Sequence, residues 1–112
     1  MIVKQYIKDF ENLGFGMYVH FGIYSVLGKG EWAKHLLQIP DEEYYGLMKQ
    51  FDPKPDWAIQ LVKTAKKGGC KYITLTTRHH DGFSLYDTRG LSDYDVMHCP
   101  CKRDLIKEFV DA

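Results

Sequence analysis

No stretch of this sequence approaches the roughly 20 apolar residues needed to span a bilayer. The start, Met1-Ile2-Val3-Lys4, lacks the basic region and apolar core of a secretion signal. The chain is therefore expected to be soluble and, by default, cytoplasmic. Excess charge of either sign is also missing, because 15 Lys plus Arg balance 15 Asp plus Glu. Without a global field there is no reason to expect nucleic acid or an anionic membrane as partner. Cysteine is scarce, and the three present, Cys70, Cys99 and Cys101, form no disulfide-like spacing framework. Cys99-Pro100-Cys101 beside His98 matches neither the C-x-x-C of a redox pair nor the spacing of structural zinc, so the thiols are read as free. What the chain does have is apolar material: 45% of its 112 residues are hydrophobic and 14% aromatic, enough for the core of one domain.

The pattern along the chain is α/β. Tyr6 to Asn12 reads as a short lead-in helix or turn, ended by Leu13-Gly14. Phe15 to His20 is a compact aromatic and β-branched run between glycines, which suits a buried strand. A long loop from Gly22 to about Pro40 follows, and loops of that length inside a compact domain are usually functional. Asp41-Glu42-Glu43 opens a helix to about Gln50, with acidic residues placed favourably against the helix dipole.

Asp56 opens another helix, on which Ala58, Leu61, Val62 and Ala65 make one apolar face and Trp57 is assigned to the core. Gly68-Gly69 stops it, and Cys70 to Thr77 returns as a second strand, completing the order of a βαβ unit. A polar loop continues to Cys101. From Asp104, the positions Leu105, Ile106, Phe109 and Val110 begin a further amphipathic helix.

In parallel α/β folds, function collects at the carboxyl ends of strands. Here both predicted strand ends deliver histidine, His20 after the first and His79-His80 after the second, while Glu31-Trp32 lies in the loop over the first. Histidine and glutamate suit the hydroxyls of a sugar ring, and tryptophan suits its C–H face, so these five residues read as a sugar pocket. A metal centre from His20, His79, His80 and Asp81 is disfavoured, because neighbours on a strand point to opposite sides. His35 and His98 have no evident partners and are left as surface residues. Glycoside hydrolysis commonly needs two carboxyl groups. Only Asp81 and Glu31 are placed for it; Asp81 precedes Gly82 in a turn, where aspartate tends to bond its own backbone, and Glu31 lies in a loop.

At these same residues the chain resembles the α-L-fucosidases of glycoside hydrolase family 29. The similarity is carried by Phe15-Gly16-Met17-Tyr18-Val19-His20-Phe21-Gly22-Ile23-Tyr24-Ser25, by Gly30-Glu31-Trp32, and by Tyr72-Ile73-Thr74-Leu75-Thr76-Thr77-Arg78-His79-His80-Asp81-Gly82-Phe83. Ser92-Asp93-Tyr94 and Lys102-Arg103-Asp104-Leu105 continue it. The resemblance implies a partial TIM-like (β/α) barrel, about two to three β/α units with a parallel sheet, since a full (β/α)8 barrel takes roughly 250 residues. Residues 1–112 would then be the N-terminal part of a catalytic domain that removes α-linked L-fucose with retention. By motif, the fucose contacts fall on His20, Glu31, Trp32, His79 and His80.

No metal or organic cofactor is implied by the resemblance. Phe21 stands where the family usually has tryptophan and is expected to keep an aromatic wall. The family's nucleophile and acid/base lie on later strands, beyond Ala112, so the catalytic residues are not among those present. L-fucose or a fucosylated glycan is the expected ligand, and self-association through open strand edges is expected. The competing readings are a fucose-binding module without catalysis and an inactive structural remnant.

Overall fold

The computed structural model describes residues 2–112. Five α-helices appear in it: α1 (Gln5–Leu13), α2 (Ala33–Leu36), α3 (Asp41–Tyr45), α4 (Trp57–Lys67) and α5 (Leu105–Asp111). Two short strands, β1 (Met17–Val19) and β2 (Ile73–Leu75), pair in parallel with Met17 opposite Ile73 and Val19 opposite Leu75. The fold is thus mixed α/β with a small parallel sheet. Both strands are shorter than the sequence pattern indicates, but pairing continues past their ends: Lys71 N–H donates to the Phe15 carbonyl (2.8 Å) and Thr76 N–H to that of Val19 (3.1 Å).

Local chemistry accounts for several boundaries. α4 ends in a Schellman turn: Gly69 takes φ +81°, Cys70 N–H reaches the Ala65 carbonyl (2.9 Å), and Gly69 N–H that of Lys66 (3.1 Å). That turn delivers the chain into β2. α5 starts at Asp104, whose carboxylate accepts from Lys107 N–H (3.0 Å). The helix expected from Asp41 to Gln50 is α only to Tyr45 and tightens into a 3-10 turn over Gly46–Lys49. The long loop after β1 is partly ordered too, holding a 3-10 turn at Ile23–Val26 as well as α2. Gly16 is needed by contact rather than conformation: a Cβ there would lie 2.2 Å from the Tyr72 ring.

The strands are less buried than expected. Every residue of β2 is half-buried and Tyr18 of β1 is exposed, because among the described residues no further strand flanks the pair. The core sits beyond the strand ends instead, built from Ile23, Tyr44, Leu47, Phe51, Phe83, Leu85, Val96, Cys99 and Leu105. α4 buries Ala58 and Ala65, with Leu61 and Val62 half-buried. Trp57 is half-buried rather than enclosed, and its indole N–H donates to Glu108 (3.0 Å). On α5, Leu105 is fully buried, Ile106 and Phe109 are half-buried and Val110 is exposed. The segment before α5 is pinned by Asp95, whose carboxylate accepts from the Thr88 hydroxyl (2.5 Å), Met97 N–H (3.0 Å) and the His98 ring (2.7 Å). Burial pushes the Asp95 carboxyl up, but the bonds from Thr88 and His98 outweigh it and hold the group low. All three cysteines are free, and burial pushes the Cys99 thiol up to about 12, which makes it inert.

Candidate functional site

β1 ends at Val19 and hands His20 directly to the carboxyl end of the sheet. The neighbouring Phe21 N–H donates to the Thr76 hydroxyl just past β2 (3.1 Å), which keeps the two strand ends side by side. The ring of His20 lies 5.4 Å from that of His79, edge-on. Trp32, at the start of α2, stacks on His80 at 4.2 Å and 21° and meets His79 edge-on at 5.7 Å. His79 and His80 are 4.5 Å apart. Glu31 contributes twice: its carboxylate is 3.9 Å from His20 Nε2, and its carbonyl is 3.1 Å from His80 Nε2. A carbonyl only accepts, so Nε2 of His80 is the donor in this bond.

All five residues singled out from the sequence therefore meet at one end of the molecule. The expectation that His79 and His80 diverge is corrected, because β2 stops at Leu75 and both rings stand on a turn, where strand alternation does not operate. Among the described residues no group of three or more His, Cys, Asp and Glu is arranged to hold a metal ion. Asp81 behaves as its turn context suggests: Oδ1 accepts from Phe83 N–H (3.0 Å), while Oδ2 takes the Tyr44 hydroxyl (2.5 Å). It is 5% exposed and fully engaged, which removes it as a reacting acid.

His35 is exposed, 6.3 Å from the Trp32 ring. His98 does have a partner, the Asp95 carboxylate. Phe21 packs on Phe51 (5.4 Å) and Trp57 (5.0 Å) at the margin of the core, and it does not line the hollow beside His20. Sequence reasoning missed Tyr24, edge-on to His79 at 5.8 Å, and Tyr18, 5.1 Å from His20. The one signal for Tyr24 is its place two residues after Gly22, where a Cβ would lie 2.8 Å from the tyrosine ring.

A hollow of about 290 Å³ lies against this cluster, lined by His20, Tyr24, Ser25, Gly28, Gly30 and Glu31. Gly28 and Gly30 have φ of +66° and +90°, which lets the loop curve around it. A larger hollow of about 470 Å³ is walled by Arg78, Tyr86, Asp87, Thr88, Arg89, Leu91 and Ser92. Its walls include none of the five residues, whereas His20 and Glu31 line the smaller hollow, so size alone does not choose the site. Chemistry favours the smaller one.

A parallel α/β protein with polar and aromatic side chains gathered at its strand ends belongs to the broad class of folds that bind small molecules there. The chain is a member of the α-L-fucosidase family, whose sequence model, described as Alpha-L-fucosidase, matches residues 2–112. The α-L-fucosidase of Dictyostelium discoideum is 28% identical over 92% of this chain and 27% of its own length. Among solved structures, α-L-fucosidase isoenzyme 1 from Paenibacillus thiaminolyticus is 40% identical with a TM-score of 0.87, covering 96% of this chain and 25% of that one. The α-L-fucosidase AlfC from Lactobacillus casei, solved in complex with α-L-fucose product, is 34% identical with a TM-score of 0.84, covering 96% and 37%. The chain thus spans about a quarter to a third of the length of these relatives.

Burial, followed by the neighbouring His80 and His20, lowers the His79 pKa below its usual 6.5, and its Nδ1 is enclosed with no hydrogen-bond partner among the described residues. Folding favours the neutral ring, so the stability this lends is complete above pH 6.5 and is lost as the pH falls through the lowered folded value. In an NMR pH titration of the imidazole signals, His79 should therefore show its midpoint below 6.5. A midpoint at or above that value contradicts the packing described.

Proposed function

We propose that this chain supplies the fucose-holding part of an α-L-fucosidase, forming the N-terminal (β/α) units of a (β/α)8 barrel that hydrolyses terminal α-L-fucosides with retention. The observation that carries the reading is the convergence of His20, His79 and His80 with Trp32 and Glu31 at the carboxyl ends of two parallel strands. Imidazole nitrogens and a carboxylate suit the hydroxyls of L-fucose, and Trp32, 49% exposed, suits its apolar C–H face and methyl group. The α-L-fucose product in the Lactobacillus casei relative supports the same ligand here.

Retaining hydrolysis needs two carboxyl groups about 5 to 5.5 Å apart. Asp81 is committed to Tyr44 and Phe83, and Glu31 stands beside His20. The reading therefore assigns the nucleophile and acid/base to later strands of the barrel. The same commitment of Asp81 favours a second reading for the chain by itself, a fucose-binding module that does not cleave. Titration with L-fucose should shift the imidazole signals of His20, His79 and His80 with millimolar affinity, weak because only part of the sugar is enclosed, while D-glucose leaves them in place. Equal shifts by both sugars, or none by fucose, contradict the assignment. On the same sample, turnover of an aryl α-L-fucoside marks a complete enzyme, and binding without turnover marks the module.

We further propose that the chain self-associates. Tyr6, Phe10, Phe15 and Tyr18 are each more than half exposed from α1 to β1, and among the described residues no further strand pairs with either outer edge of the two-stranded sheet. Strand addition by a second copy covers both features. Light scattering coupled to size exclusion should report a defined multimer at micromolar concentration; a stable monomer sinks this part of the reading.

A further inference from the structure

We propose that Tyr44, Tyr45 and Asp81 are positioning residues that hold the rings of His79 and His80 against Trp32, and that Lys34 ties the Glu31–Trp32 loop to the same clamp. The shape of the sugar-facing surface would then depend on four residues that do not face the sugar. The link to fucose rests on the function proposed above; the positioning of the rings does not.

Asp81 is the hub of the clamp. A carboxylate this buried needs partners, and none of its side-chain partners is a cation. It is held by directional hydrogen bonds instead: Tyr44 hydroxyl to Oδ2 (2.5 Å) and Phe83 N–H to Oδ1 (3.0 Å), with the Tyr45 hydroxyl donating to the Asp81 carbonyl (2.5 Å). Burial and then the bond to Asp81 raise the Tyr44 phenol above its usual value, so the donor is retained throughout the accessible pH range. Gly82, at φ +80°, closes the turn by donating its N–H to the His79 carbonyl (3.0 Å). The turn over residues 79–82 is thereby fastened at Asp81 and Gly82, just after the two histidines, and both tyrosines come from one short helix, α3.

The other half of the ring cluster is tied to the same helix. Lys34, two residues after Trp32, pairs with Asp41 at the start of α3 (2.7 Å). Its ammonium also lies 6.0 Å and 5.9 Å from the ring centres of Tyr44 and Tyr45. Glu31 closes the circuit by accepting from His80. A path of contacts runs from Trp32 through α2 to Lys34, across α3 to Asp81, and back through His80 to Trp32. Such a closed path resists rotation of the indole away from the imidazoles, because each ring's support is also a support of the other. Purely structural tyrosines would stabilise the core and leave the rings where they are.

The experiment uses the full chain with Tyr44→Phe, Tyr45→Phe and Lys34→Met, read by NMR of the histidine imidazoles and the Trp32 indole and then by L-fucose titration. Without sugar, Tyr45→Phe and Tyr44→Phe should move the His79 and His80 signals while His98, bonded to Asp95, stays in place. Lys34→Met should move the indole. Fucose affinity should fall by about fivefold in the tyrosine variants, as expected for loss of one hydrogen bond's worth of order. Lower melting temperature with unmoved imidazole and indole signals shows a structural role only and overturns the proposal. Moved rings with unchanged fucose affinity overturn its link to the sugar. If the unmodified chain ignores fucose while the variants still move the rings, the clamp stands and the fucose reading fails. Should Tyr44→Phe not fold, Tyr45→Phe and the surface-accessible Lys34→Met carry the same readouts.

Discussion

Parallel strands cannot be joined by a hairpin, so the pairing of Met17–Val19 with Ile73–Leu75 obliges the chain to travel a long crossover between them. The rest of the molecule is organised by that obligation. The crossover supplies α2, α3 and α4, and its last helix returns the chain through a glycine turn into β2. Because both strands run the same way, their carboxyl ends lie together, and His20 emerges beside the segment that carries His79 and His80. An antiparallel pair would send these residues to opposite ends.

The core follows from the same constraint. Two strands present too little surface to bury one another, so the apolar centre gathers past their ends around Tyr44, Phe51, Phe83, Leu85 and Leu105. Tyr44 of that core bonds Asp81, the residue next to His80. The side chains that would face a sugar stand on the best-supported part of the molecule, while α1, with no buried residue, stands on the least supported. Asp81 joins the two layers: its carboxylate is inside with Tyr44, and its backbone belongs to the turn bearing the histidines. A charged group in that position costs stability unless every oxygen is satisfied, and here each is.

Much of this arrangement was legible in the sequence. Period and glycine punctuation located α4 and the strand regions, the α1 segment suits helix or turn alike, and histidine at two strand ends pointed to the face that holds His20, Glu31, Trp32, His79 and His80. The Asp81–Gly82 turn was readable because aspartate's bond to the residue two ahead is local. The tyrosine clamp was not, since Tyr44 and Asp81 meet only after the crossover is folded, and nothing in Tyr44-Tyr45 distinguishes a hydroxyl that reaches a carboxylate from one that faces water. The packing of Phe21 was hidden likewise, as its partners Phe51 and Trp57 are distant in sequence. The regular strands are shorter than the sequence indicates, although hydrogen bonds between the two segments run on to Phe15 and Lys71 at one end and Val19 and Thr76 at the other.

The central claim is that one face, at the carboxyl ends of β1 and β2, holds L-fucose. Intermolecular NOEs between bound fucose and the isotope-labelled chain test it most directly. The account predicts contacts from the sugar's ring and methyl protons to the Trp32 indole and to the His20 and His80 imidazoles. Contacts confined to the hollow walled by Arg78, Tyr86 and Arg89, with none to Trp32, would contradict it.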